Sequence, residues 1–201
     1  MPTALQPRWF IKQPSDRVVS EFLCAQAHES LSYAEVGESR QGTPAGYTLD
    51  HNRVQIGKGD RDYKQACEAV REWRMFPRPW TEISPRRAPV VEGTLVAMQA
   101  HALGFWWLNA CRIVYVVDEY GPVRRFGFAY GTLRSHVEQG EERFTVELQP
   151  DGSVWYDLRA FSRPRYWPVR LGKPLARRLQ RRFVRDSQAS MKDAIIQAAS
   201  K

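Results

Sequence analysis

The sequence predicts an α+β domain in which an antiparallel meander is covered by a long C-terminal helix. Three observations carry this. Between Thr81 and Phe161 apolar residues recur at every second position, whereas on either side they recur at helical spacing. Asp151-Gly152, set between ERFTVELQ and SVWYDLRAF, is the strongest hairpin signal in the chain. From Pro174 onward the apolar and basic residues divide onto two sides of one long helix. The chain has 201 residues, 43% of them hydrophobic. A single domain of that size buries roughly 70% of its unfolded surface. The expected domain is therefore 1–201, with about 10–192 as the folded core and 1–9 and 193–201 outside it.

In chain order, Pro7 and Pro14 bracket a short extended segment containing Trp9, Phe10 and Ile11. Ser15 caps a first helix carrying Val18, Val19, Phe22 and Leu23 at helical spacing. After LSYAEVG (31–37), Gly42, Pro44 and Gly46 mark a loop, and His51–Gly57 reads as a short strand. A second helix, about Asp60–Phe76, aligns Tyr63, Ala66, Val70 and Trp73, and Pro77 and Pro79 follow it. Strands are predicted near 81–84, 93–102, 110–118, 124–133, 142–149 and 153–162. In the last helix Arg177, Arg178, Arg181, Arg182 and Arg185 fall within an arc of about 140°, with Leu175, Leu179 and Phe183 opposite. That arc reads as a solvated basic face.

Composition excludes several classes of protein. Seven Trp, 8 Tyr and 9 Phe are too many rings for a solvated coil. No stretch approaches the ~18 apolar residues of a membrane span, and the N-terminus lacks the order of a secretory signal, so a cytoplasmic protein is expected. Cys24, Cys67 and Cys111 are odd in number and far apart, which fits reduced thiols. His28, His51, His101 and His136 have no ligand spacing, so neither a metal nor a cofactor is expected. The net charge of +8 is local. Residues 1–158 carry a net −2 and residues 159–185 a net +10, with no acid among the latter.

The motif search is mostly negative. Gly57-Lys58-Gly59 lies between strand and helix, but the third glycine of a phosphate loop would be Asp62, which caps the helix instead. No serine sits in a nucleophile elbow. Alternation says more. Glu142 shares a strand face with Phe144, Val146 and Leu148, where desolvation raises a carboxyl pKa. Phe126, Phe128 and Tyr130 oppose Gly127, Ala129 and Gly131, a small face that another backbone can approach. Val154, Tyr156, Leu158, Ala160 and Ser162 form the apolar face of the next strand. His136 stands in a polar loop beside Glu138, Glu141 and Glu142.

YAEVG (33–37), RRFGFAYGTL (124–133), GEERF (140–144), VWYDLRAFSRP (154–164) and LARRLQRRFVRDS (175–187) resemble domain of unknown function 1990, also called uncharacterised protein family 0548. The resemblance runs from Phe10 to Met191 and implies no catalytic residues. The element order is also similar to the SRPBCC group, START and birch-pollen-allergen-like proteins. That likeness implies a helix-grip fold, a curved sheet holding a C-terminal helix around an apolar cavity.

The expected function is binding of a small hydrophobic or amphipathic molecule between sheet and helix. Tyr115, Phe128, Tyr130, Phe144, Tyr156, Ser162 and Phe183 are candidates for the lining, with Glu142 and His136 as polar anchors. Two alternatives stand beside it. One is a lyase- or cyclase-like enzyme using Glu142 or His136 as acid or base. The other is a surface-binding protein whose basic 159–185 region meets nucleic acid or anionic lipid. No pattern supports sequence-specific nucleic-acid binding, so any polyanion contact is expected to be weak.

Overall fold

The computed structural model of the chain describes residues 7–165 and 173–199. Its elements are β1 (Arg8–Phe10), α1 (Asp16–Gln26), β2 (Thr48–Lys58), α2 (Gly59–Arg71), β3 (Thr81–Ser84), β4 (Leu95–Ala102), β5 (Phe105–Glu119), β6 (Arg124–Thr132), β7 (Glu138–Leu148), β8 (Ser153–Pro164) and α3 (Lys173–Ala199). The strands form one curved antiparallel sheet in the order β2-β8-β7-β6-β5-β4-β3, and β1 pairs with β5. With α3 laid across its concave side, the fold is a helix grip.

Local chemistry accounts for the boundaries. The Ser15 hydroxyl accepts from Val18 N at the start of α1. Asp62 covers the start of α2, its Oδ2 accepting from Lys58 N at 2.8 Å, so a carboxylate already fills the place a phosphate would take. α2 ends at Arg71, before the prolines expected to stop it, because the chain turns at Trp73 into the left-handed region (φ 58). That reversal buries the Trp73 ring and lets its indole N–H donate to Ala88 O at 2.8 Å. At Asp151-Gly152 the hairpin closes with Gly152 at φ 80 and Asp151 Oδ1 accepting from Ser153 N.

Two faces follow from register. On the concave side, Val54, Tyr156, Val146 and Phe126 form one cross-strand row, and Asn52, Leu158, Phe144 and Phe128 the next. These rows pack on Tyr63, Ala66 and Val70 of α2 and on Met191, Ala194 and Ile195 of α3. On the convex side α1 lays Val19 and Phe22 over Ala97, Leu108 and Ala110. Residues 31–47 cover the rest, where Gly131 leaves room for Tyr33; a Cβ there would collide with the phenol oxygen.

Several expectations are corrected. β2 begins at Thr48 rather than His51, β5 at Phe105 rather than near residue 110, and β7 at Glu138 rather than Glu142. Arg8 and Trp9 pair with Leu108 and Trp107, and Ala194 and Ile195 are buried. The basic run continues through Arg170, which lies outside the described residues. Among the described residues no helix is long and apolar enough to cross a membrane, and no cluster of His, Cys, Asp and Glu could hold a metal. Cys24, Cys67 and Cys111 are free thiols.

Candidate functional site

A cavity of about 340 Å³ lies between the sheet and the N-terminal half of α3. Its cause is visible in the rows. The row beyond Asn52–Phe128 consists of Asp50, Ala160, Glu142 and Tyr130, and Gly140 pairs with Ser162 beside it. Small and polar side chains there cannot fill the space that Phe and Leu fill one row earlier. Met98, Ala100 and Ala102 of β4 form another wall. Phe76 and Trp80 close it from the α2–β3 connection, and Leu179, Phe183 and Val184 of α3 roof it.

The polar groups gather at one end. Tyr130 donates to Glu142 Oε2 at 2.8 Å, and among the described residues the phenol is that carboxyl's one hydrogen-bond partner. Burial, with smaller repulsion from Glu138 and Asp50, pushes Glu142 up to about 7, against the pull of the phenol. Glu138, also pushed up by burial, accepts from Gln180 Nε2 at 2.9 and 3.1 Å. His136 is buried. Its Nδ1 accepts from Glu138 N at 2.9 Å, which leaves the proton on Nε2, and desolvation lowers the ring to about 4. A neutral imidazole N–H donor and a carboxyl that titrates near neutrality therefore line the same cavity.

The candidates named from the sequence separate by position. Tyr130, Glu142, His136, Ser162 and Phe183 line the cavity. Phe128, Phe144 and Tyr156 are fully buried in the core beside it, and the Tyr156 hydroxyl bonds Ser187 at 2.9 Å. Tyr115 is a correction. A register shift between Ile113 and Tyr115 carries it to the convex face, where its hydroxyl meets Ser39 Oγ at 2.6 Å and Arg40 stacks on its ring. His136, in the turn before β7, is buried and faces the cavity. Phe183 is only partly buried, since it faces the cavity; the deep positions of α3 begin at Ser187 and Met191.

Of the basic arc, Arg178, Arg181, Arg182 and Arg185 are exposed, whereas Arg177 turns inward and pairs with Asp50. Arg181 and Arg185 line the cavity, and Arg182 stacks on Trp80 at 4.3 Å. Asp50, Glu138, Phe76, Trp80 and Met98 were missed. Alternation carried a signal for two of them, because Asp50 and Asn52 continue the Val54–Ile56 face and Glu138 lies four residues before Glu142. Phe76 and Trp80 reach the site through a loop, where no period applies.

Glu141, next in the chain, has the opposite environment. On the convex face it accepts from Tyr33 Oη and Gly37 N at 2.8 Å each, from Ser39 N at 3.2 Å and from Ser39 Oγ. It thereby ties YAEVG to GEERF. Further along the same face, opposite Thr145, Asp157 is held by Arg143 at 2.8 Å and His51 at 2.6 Å.

Among solved structures the chain is similar in fold to a protein of unknown function, SA2116 from Staphylococcus aureus. The TM-score is 0.50 at 12% identity, covering 79% of this chain and 100% of that one. Ara h 8.0201 has a TM-score of 0.47 at 12% identity, covering 76% of this chain and 99% of that one. Sequence relatives are nearer. A UPF0548 protein of Dictyostelium discoideum is 32% identical over 204 residues, 92% of this chain and 94% of its own. One from Deinococcus radiodurans is 34% identical over 190 residues, 88% of this chain and 93% of its own. Residues 32–190 match the family model described as Domain of unknown function (DUF1990), and the chain belongs to that family.

Proposed function

We propose that the protein binds a small amphipathic molecule in this cavity. Its apolar part lies against Phe76, Trp80, Met98, Leu158 and Phe183, and its hydrogen-bonding part meets Glu142. The observation that carries the reading is the Glu142 carboxyl, set on a cavity wall with the Tyr130 phenol as its one hydrogen-bond partner among the described residues. A buried carboxyl with spare acceptor capacity gains from a ligand donor, and near pH 7 it also donates in its protonated form.

The neutral fluorophore N-phenyl-1-naphthylamine tests this. Its emission should rise and shift to the blue on mixing with the protein. Glu142→Gln and Phe183→Ala should both weaken the effect while the fold persists. An unchanged spectrum across the full solubility range of the dye would sink the reading.

A second reading has its own support. A carboxyl titrating near 7 inside a cavity has the property that general acid–base catalysis requires, so Glu142 would move a proton on the bound molecule. His136 does not suit that role, because it stays neutral at physiological pH and holds its N–H fixed.

A further inference from the structure

The cavity wall formed by β4 does not end at the cavity. Register places Trp107 opposite Ala100, Phe105 opposite Ala102 and Trp9 opposite Trp107, so all three rings share the face that Met98, Ala100 and Ala102 present to the cavity. The Trp107 indole N–H is bonded to Ala102 O at 3.1 Å. Trp9 and Phe105 meet edge to face at 5.0 Å, yet they remain 56% and 36% exposed. Leu103 in the adjoining turn is 60% exposed, and Ile11, two residues after Trp9, is 75% exposed. Exposed apolar residues scattered singly need no explanation, whereas a cluster of them beside a cavity marks a candidate contact surface.

The hairpin tip adds an independent observation. Leu103 and Gly104 form the two-residue turn between β4 and β5 with φ values of 58 and 80. Such a turn favours Asn before Gly, because a Leu side chain is strained in the left-handed region. Here the strained residue is apolar and points to solvent, so the cost is borne with no contact inside the fold to offset it.

Charge identifies the partner. On the helical wall of the same cavity Arg181 and Arg185 line it, and Arg178 and Arg182 are exposed on the same stretch of helix, with Asp186 as the acid among them. Among the described residues Arg178 and Arg181 have no ionic partner, and Lys12 is exposed beside the lip. An aromatic lip on one wall of a cavity and exposed arginines on the helical wall of the same cavity match the interfacial zone of an anionic bilayer, where indole rings seat at headgroup level and cations meet lipid phosphate and carboxylate.

We propose that the open side of the cavity docks on anionic membrane, with Trp9, Leu103 and Phe105 inserted among the lipids and Arg178 and Arg181 on their headgroups. The cavity then faces the layer from which an amphipathic molecule would enter or leave. Docking does not depend on the cavity being filled.

Sedimentation with vesicles of phosphatidylcholine, with and without phosphatidylserine, tests this on the full chain. Binding should require phosphatidylserine, weaken with added salt, and fall about tenfold both in Trp9→Ser/Phe105→Ser and in Arg178→Gln/Arg181→Gln. Leu103→Asn guards against a folding artefact. It relieves the turn, so its melting temperature should hold or rise while vesicle binding drops. No binding to phosphatidylserine vesicles, or binding equal in all three variants, overturns the proposal. So does concentration-dependent self-association without vesicles that the lip variants abolish, since a second copy would then be the partner. Dye uptake without vesicles reads the cavity separately, so either proposal can fail alone.

Discussion

Glu141 and Glu142 are neighbours in the chain and opposites in the fold. Glu141, on the convex face, is buried under residues 31–47 and accepts four hydrogen bonds, two of them from backbone N–H groups. Glu142, on the concave face, lines a cavity with a single phenol as its hydrogen-bond partner among the described residues. The first carboxylate is saturated and organises the loop that covers it. The second is under-supplied and titrates near neutrality, which suits contact with something not part of the chain. Burial alone does not distinguish structure from function; the number of partners does.

The largest effect expected from this contrast is on Glu141. Glu141→Ala should cost roughly 3–5 kcal/mol, because Tyr33, Gly37 and Ser39 lose a charged acceptor together. Denaturant melts would check it, and a loss below ~1 kcal/mol would mean that the convex network is solvated.

pH dependence comes next. In the folded state Glu142 keeps its proton up to about 7, while the unfolded chain releases it near 4.5. Stability from this group therefore falls as pH rises from 4.5 toward 7 and is level above. Over that span the change is about 3 kcal/mol at most. His136 runs the other way. Folded, it stays neutral down to about 4, whereas unfolded it protonates near 6.5, so stability falls as pH drops through that window. Between 4.5 and 6.5 the two slopes oppose each other. Glu142→Gln should remove one of them, leaving stability that climbs to pH 6.5 and a variant more stable than its parent at pH 8. Thermal melts across pH would decide, and parallel curves for the two proteins would contradict the placement of Glu142.

A smaller effect separates the phenols. Tyr33→Phe should cost about 1–2 kcal/mol, since it removes one donor from a closed network. Tyr130→Phe should change stability at pH 7 by less than that and instead move the Glu142 inflection upward, because the phenol pulls it down. Equal losses in the two variants would erase the difference between the faces. Smallest of all is Arg182→Ala, an exposed pair with Asp186 at 3.4 Å, expected to cost under about 1 kcal/mol.

What the residues decide locally, they announce. The Asp151-Gly152 turn, the Ser15 cap, the stripe on α2 and the alternation from β6 to β8 each depend on neighbours a few positions away, and each is legible. Alternation also places Tyr130 and Glu142 on one face, because a strand's period is two wherever the strand lies. Three things are decided only by packing. The Ile113–Tyr115 shift sends Tyr115 to the wrong side for a cavity, and no residue nearby marks it. Phe128, Phe144 and Tyr156 look like Tyr130 in sequence but sit one or two rows away, where α2 and the C-terminal half of α3 leave no space. Arg177 belongs to a basic arc on a helical wheel, yet Asp50, far off in the chain, draws it inward. Which stretch of an apolar face is filled and which stays hollow depends on what the rest of the chain lays across it, and that is settled by long-range contacts rather than by period.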